Sequence, residues 1–234
     1  MSKSNVWMSV SDLMTGLMII FLFIAIAYLS RVESSQSVLT DYVETRTRLH
    51  DRLVSEFQGD TLRWQMAIGK DLSMKFNNPT VLFTTGSHEL TPGFKAILDD
   101  FLPRYFDILL KDSLRSKIKE VRIEGHTDDV PFPSVDPDPY IANAILSQQR
   151  ALSVLRYFRQ MKVYQNYTDR QKRLLEFWLT SNGLSYGKSL DGDGEYTLVS
   201  GKEIDREFSR RVKFRIVTSG DEILENFVKK NQNE

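Results

Sequence analysis

The chain has 234 residues, and its 31 Lys+Arg balance 31 Asp+Glu to a formal net charge of zero. A neutral chain has no electrostatic footprint for nucleic acid, and none is expected as a direct partner. There is no cysteine, which excludes disulfides and thiolate metal sites, and the length suits one domain of about 150 residues plus an anchor and a connector.

The first predicted element is a membrane helix. From Val10 to Leu29 the sequence is apolar for about 20 residues, and at 1.5 Å per residue such a helix crosses the ~30 Å hydrocarbon core. Asp12 sits at its N-terminal edge. A charged aspartate costs about 2.5–3.5 kcal/mol at mid-helix on insertion scales, and less near an interface. Neutralising one at neutral pH costs roughly 4 kcal/mol. The two costs are close, so such a group lies near the balance between charged and protonated that a proton carrier needs. Asp12, Thr15, Gly16, Ile19 and Phe23 share one helix face, and Gly16 permits close approach of another helix. A lone helix in lipid leaves Asp12 without a partner, so a second membrane protein is inferred. Two plainer readings stand beside this one. Asp12 can be an interfacial N-cap, or the segment can be a cleavable signal peptide ending near Ala25-Ile26-Ala27. Lys3 is the single basic residue ahead of the run, which counts against cleavage. The short N-terminal flank suggests that the N-terminus stays inside and the rest lies outside.

From Arg31 to about Asp60, Leu39, Tyr42, Val43, Leu49, Leu53 and Phe57 recur at near-helical spacing, with Arg46 interrupting the stripe. This predicts a helix beyond the membrane, pairing with its copy in a homodimer. Thr61 to Phe76 reads as another short helix, and Asn77-Asn78-Pro79 as a break. Val81–Phe83 reads as a short strand and Gly86 to Gly93 as a loop. Phe94 to Leu109 reads as a helix opened by Pro92, with Pro103 a possible kink site. Lys119 to Gly125 alternates as a half-buried strand. A proline-rich loop follows, then a helix over Asn143 to Met161. A further helix is expected over Asp169 to Leu179, a strand at Leu184 to Tyr186, and a hairpin or long loop over Ser189 to Gly201. Arg211 to Thr218 alternates as the last strand, and Glu222 to Lys230 reads as a terminal helix.

Two sets of residues carry a family resemblance. Trp7, Ser9 and Asp12-Leu13-Met14-Thr15 resemble the start of the MotB-type stator helix, W-x-x-S-Y-A-D-L-M-T. Val10-Ser11 replaces its Tyr-Ala. In that family the aspartate carries the proton, the partner is a multi-helix membrane protein of the MotA or ZorA type, and the segment after the helix can plug the channel. The second set is V-R-I-E-G-H-T-D at 121–128, Asn143-x-x-Leu146-Ser147-x-x-Arg150-Ala151-x-x-Val154, and Ser209-Arg210-Arg211-Val212. These resemble the OmpA-like peptidoglycan-binding domain over roughly residues 80–218. Asp128-Asp129-Val130-Pro131 after Thr127 is similar to the MotB branch.

The resemblance implies peptidoglycan binding through Thr127, Asp128, Asn143, Arg150 and Arg210. Diaminopimelate offers an ammonium and a carboxylate on one short side chain. Asp128 suits the ammonium, and Arg150 suits the carboxylate through a two-pronged, charge-assisted contact. Asn143 would bond ligand or loop backbone, and Arg210 would add a second cationic contact. The structural alternative is a salt bridge between Asp128 and Arg150. Ser209 departs from the family's Asn, and Asp169–Gly201 has no family role.

The expectation is therefore an α+β protein in three parts: a transmembrane helix with a short cytoplasmic N-terminus (1–30), a periplasmic helical connector or plug (31–78), and an OmpA-like α/β sandwich (79–234). The short start and the run D-L-M-T-G-L-M-I-I-F-L-F resemble the stator-like subunits of the Zorya anti-phage systems. A flagellar stator protein and a static wall tether are the alternatives. No cofactor and no catalytic role are expected. His50, His88 and His126 lack metal-ligand spacing. The acidic run Asp191 to Glu195 lacks the glycine and register of a calcium loop.

Overall fold

The computed structural model describes residues 3–84, 86–111, 113–131 and 136–221. Contacts divide the chain into two compact units, Met1–Glu44 and Thr45–Glu234. Helix α1 has the bounds Lys3–Phe57. In the first unit its 18-residue window Leu13–Ser30 is long and apolar enough to cross a membrane, with none of it buried by protein. Side chains such as Leu13, Met18 and Phe23 are exposed, as the lipid-facing side chains of a single span must be. Asp12 lies on this helix; its side chain is outside the described residues, as are Glu222 to Lys230.

The second unit begins ahead of residue 79. Leu49, Leu53 and Phe57, spaced i, i+4, i+8 on the last turns of α1, are fully buried in its core. The last three residues of the stripe expected to pair between copies of the chain are thus occupied within their own unit, while Val43 is exposed. Arg104 fastens the junction. It donates to Glu56 Oε1 at 2.6 Å, Asp60 Oδ2 at 2.9 Å and Asp100 Oδ1 at 3.1 Å, and stacks on the Phe57 ring at 4.7 Å.

A one-turn helix α2 (Thr61–Trp64) leads into a hairpin of β1 (Met66–Ile68) and β2 (Ser73–Phe76). Sequence spacing suggested a helix here. The turn Gly69–Leu72, with Leu72 at φ 59 and Gly69 N–H donating to Ser73 O at 2.7 Å, closes a hairpin in which Met66 faces Phe76. Four residues with two left-handed or glycine positions cannot continue a helix. α3 (Pro79–Leu82) likewise replaces an expected strand. Asn78 caps it through Val81 N–H at 3.3 Å and Pro79 fills the first turn, a pairing that outweighs the strand preference of Val81. α4 (Pro92–Lys111) runs on through Pro103, and a 3-10 turn (Ser113–Lys117) delivers β3 (Ile118–Gly125).

α5 (Pro139–Gln160), α6 (Lys162–Gln165) and α7 (Asp169–Trp178) cross over to β4 (Leu179–Gly183), which pairs parallel with β3. Parallel neighbours need such a helical crossover. β4 lies upstream of the expected Leu184–Tyr186. Its sequence L-T-S-N-G is half-buried throughout, so no alternation betrays it. After α8 (Thr197–Ser200) and α9 (Arg206–Ser209), β5 (Val212–Thr218) enters the sheet centre. The strand order is β1-β2-β5-β3-β4. The segment 169–201 thus supplies a crossover helix and an edge strand.

Two glycines, Gly125 and Gly183, face each other in register at the ends of β3 and β4. A Cβ on Gly125 would lie 2.2 Å from Ser147 O, and one on Gly183 2.4 Å from Gln148 N. Only glycine lets α5 lie this close to the sheet. The sheet end and the face of α5 bearing Asn143, Ser147 and Arg150 therefore converge.

Candidate functional site

β3 delivers Gly125, and the chain continues through His126, Thr127 and Asp128, all buried. Backbone bonds hold this exit strand on both sides. His126 N–H donates to Arg211 O at 3.0 Å and Thr127 N–H to Ser185 O at 3.1 Å. Asp128 is thereby fixed at the carboxyl end of a strand with a parallel neighbour, the end at which open α/β sheets bind ligands. Its Oδ1 accepts from Val130 N–H at 3.2 Å and its Oδ2 from Arg210 Nη1 at 2.8 Å.

Thr127, Asp128, Asn143, Arg150 and Arg210 line one cavity of about 350 Å³, together with Phe83 and Arg211 among others. The structure thus gathers all five sequence-designated pocket residues. Asp12 lies in the other unit. Asn143 is a loop holder: its Nδ2 donates to Val130 O and Pro139 O, both at 3.0 Å. Thr127 has its Oγ1 buried without a hydrogen-bond partner among the described residues.

Arg150 crosses the cavity wall. Its Nε donates to Ser87 O at 3.0 Å and its guanidinium lies over the Phe83 ring at 5.0 Å. Burial pushes it down to about 10; Asp128 favours the charge and Arg210 opposes it. It remains a cation at neutral pH. The Asp128–Arg150 salt bridge considered from sequence is not the one formed. Among the described residues Asp128 pairs with Arg210.

A second pair of charges binds the rim. Arg206 grips Asp129 with Nε to Oδ1 at 2.8 Å and Nη2 to Oδ2 at 3.3 Å. The Arg206 guanidinium lowers the Asp129 carboxyl below its ordinary value. The adjacent acids 128 and 129 are thus both tied to the segment 206–210. Ser209 secures the far side of that segment. Its buried Oγ accepts from Leu190 N–H at 2.9 Å and donates to Leu190 O at 3.3 Å. Arg211, in contrast to Arg210, is scaffold. It donates to Ser209 O at 3.0 Å and Lys188 O at 2.9 Å.

Beneath the cavity a buried polar cluster crosses the sheet. Glu124 and Lys213 are register partners on β3 and β5, 3.4 Å apart, and His126 Nε2 is 3.6 Å from Glu124. Burial alone would raise the Glu124 carboxyl; the neighbouring His126 ring and the Lys213 ammonium overcome it and hold the carboxyl down. Burial is also the largest effect on His126 and pushes it down to about 4, against the pull of Glu124. The imidazole is neutral at pH 7. Phe83, Ser87 and this cluster had no sequence signal. Glu124 and Lys213 lie among other charges on their strands, Arg122 and Arg215 included, so nothing in the sequence set them apart.

Among the described residues no group of three His, Cys, Asp or Glu is placed to hold a metal ion. In the acidic run, Asp191 Oδ1 closes its own turn by accepting from Asp193 N–H at 3.0 Å and Glu195 N–H at 2.9 Å, and Lys202 pairs with Asp193.

The OmpA family model matches residues 82–187. The strands β3 and β4, the crossover between them and most of the residues lining the cavity therefore belong to an OmpA-like domain, in a chain that also carries a membrane-length helix. Over 223 aligned residues the chain is 39% identical to Zorya protein ZorB of Escherichia coli, covering 92% of this chain and 88% of that protein. The chain belongs to the ZorB family. Solved structures with a similar fold include the cell wall anchor of the T6SS from Pseudomonas aeruginosa, at 20% identity and TM-score 0.45, covering 71% of this chain and 97% of that one. The periplasmic domain of Helicobacter pylori MotB follows at 16% identity and TM-score 0.40, covering 69% and 85%.

Proposed function

We propose that this chain is the peptidoglycan-anchored, single-pass inner-membrane subunit of a proton-driven, stator-like motor that acts in anti-phage defence. Membership of the ZorB family supports the defence context over a flagellar one. The observation that carries the anchoring is the cavity at the end of β3, which the Asp128 carboxylate and the Arg150 and Arg210 guanidiniums line together. That charge pattern is complementary to the ammonium and carboxylate of a diaminopimelate stem peptide in the periplasm.

In this reading two copies sit within a ring of helices from a MotA- or ZorA-like partner. Protons moving down the membrane potential, worth about 2.3 kcal/mol per charge per 100 mV, cycle Asp12 between its two states. Wall binding holds this subunit still, so the partner ring moves relative to it. Each domain needs only modest affinity, because the first contact of a dimer raises the effective concentration of the second.

Co-sedimentation of the full-length protein, in detergent, with purified sacculi tests the anchoring. Wild type is expected to sediment. Arg150→Lys and Asp128→Asn are expected to weaken binding roughly 10- to 100-fold, the worth of one charge-assisted contact. Unchanged binding in both variants overturns the assignment of this cavity.

A further inference from the structure

β4 ends the strand order, so among the described residues one of its edges faces no further strand. Leu184 N–H turns inward to Gly125 O at 3.0 Å. Ser181 and Gly183, on the opposite parity, therefore turn their backbone groups outward. One side chain occupies that edge. Gln148 of α5 accepts from Gly183 N–H through Oε1 at 2.7 Å and donates Nε2 to Ser181 O at 3.1 Å, with Ser181 Oγ at 3.2 Å. In a parallel ladder one residue of a neighbouring strand makes this same pair of bonds, to residues two apart. The Gln148 amide thus stands in for a missing strand. The fastening reaches the cavity through Ser185, two residues past Gly183 and buried. Ser185 N–H donates to Ser147 Oγ at 3.0 Å, its Oγ donates to Tyr140 O at 2.9 Å, and its carbonyl accepts from Thr127 N–H at 3.1 Å. One wall of the cavity, Thr127 and Asp128, is thereby tied to the other, Asn143 and Arg150 on α5. Gln148 lies outside the cavity and holds the strand end from which Ser185 departs.

We propose that Gln148 is a positioning residue for wall binding: its amide completes the open edge of β4 and so sets the spacing between α5 and the strand exit that carries Thr127 and Asp128. That role rests on the peptidoglycan reading of the cavity. A binding site held by hydrogen bonds around it loses affinity when its walls shift by a fraction of an ångström. Gln, Met and Glu have similar helix propensities, so exchange among them keeps α5 helical and changes only what meets the strand edge. Met has the same length and no hydrogen-bonding amide. Glu discriminates through its ionisation. As a carboxylate it still accepts from Gly183 N–H but sets a second acceptor oxygen against Ser181 O. As a carboxylic acid it donates to Ser181 O and reproduces the amide. An ordinary glutamate titrates at about 4.3.

Saturation binding of the full-length protein, in detergent, to purified sacculi at about pH 7 and about pH 4 tests this. Near-UV circular dichroism checks folding at each pH. Each variant is read as a ratio to wild type at the same pH, which removes the titration of the wall and of the cavity itself. Gln148→Met is expected to bind roughly 5- to 10-fold more weakly than wild type at both pH values, the worth of the neutral hydrogen bonds removed. Gln148→Glu is expected to be weakened by a similar factor near neutrality and to come within about twofold of wild type in acid. Wild-type affinity in the folded Gln148→Met protein, even with lowered stability, makes the amide a support of the fold alone and overturns the proposal. A Gln148→Glu ratio that does not change with pH overturns it too. Failure of wild type to bind sacculi overturns the peptidoglycan reading and the role of Gln148 with it.

Discussion

Gly125→Ala is expected to cost about 3 kcal/mol of stability and to abolish wall binding in whatever fraction remains folded. The new Cβ would sit 2.2 Å from the carbonyl oxygen of Ser147, a backbone atom with no rotamer to retreat into. The helix must move, because β3 is held on one side by β5 and on the other by β4. Moving α5 away from the sheet carries Asn143 off the loop carbonyl of Val130, and carries Arg150 off Ser87. One methyl group thus disassembles the cavity from behind. Chemical denaturation followed by sacculus co-sedimentation of the same preparation measures both losses. A variant of wild-type stability and binding would show that α5 does not depend on this close approach.

Phe101→Ala is the larger loss of stability, expected at about 3–5 kcal/mol. Phe101 of α4 is fully buried and is the ring on which three parts of the second unit converge. It lies 5.2 Å from Phe57 at the end of α1, 5.0 Å from Phe76 on β2 and 5.1 Å from Phe214 on β5. It also stacks on Tyr105 at 5.1 Å. Aromatic pairs of this kind add to the area they bury, and five rings around one site, Trp64 among them, leave little room to collapse into the space vacated. Urea unfolding should show the midpoint falling with the slope unchanged. A loss below about 1 kcal/mol would mean that the end of α1 and β2 do not share one core with α4.

Where a segment has one buried face and one wet face, sequence period revealed it. β3, β5, α4 and α5 all read correctly from alternation or from helical spacing, because packing on one side of a sheet or helix imposes that period. The failures lie where another constraint ruled. β4 is an edge strand, half-buried on both faces, and carries no period. The β1–β2 hairpin hides behind apolar residues that happen to fit helical spacing, and its turn at Gly69–Leu72 was the neglected signal. Asn78 with Pro79 marked a capped helical turn where Val81 to Phe83 suggested a strand.

The cavity was half legible for a related reason. Asp128 and Arg150 stand in compact motifs, so their joint presence could be anticipated. Their partners could not. Arg210 meets Asp128 across 82 residues of sequence, and Ser87 meets Arg150 across 63. Such pairings follow from the order of strands, with β5 between β2 and β3, which no local pattern states. Ser209 is instructive in the same way. It departs from the family's Asn, yet its hydroxyl is engaged by both backbone groups of Leu190.

The decisive test concerns Asp12. The substitution Asp12→Asn keeps the size and polarity of the side chain and removes its ability to exchange a proton. It is compared with wild type after expression, membrane insertion and sacculus binding are shown to be equal, and scored by phage plaquing and by swimming in the same host. Loss of phage protection with normal swimming is the expected result. Full protection by the Asp12→Asn protein would contradict a proton-driven motor and leave a static wall tether in its place.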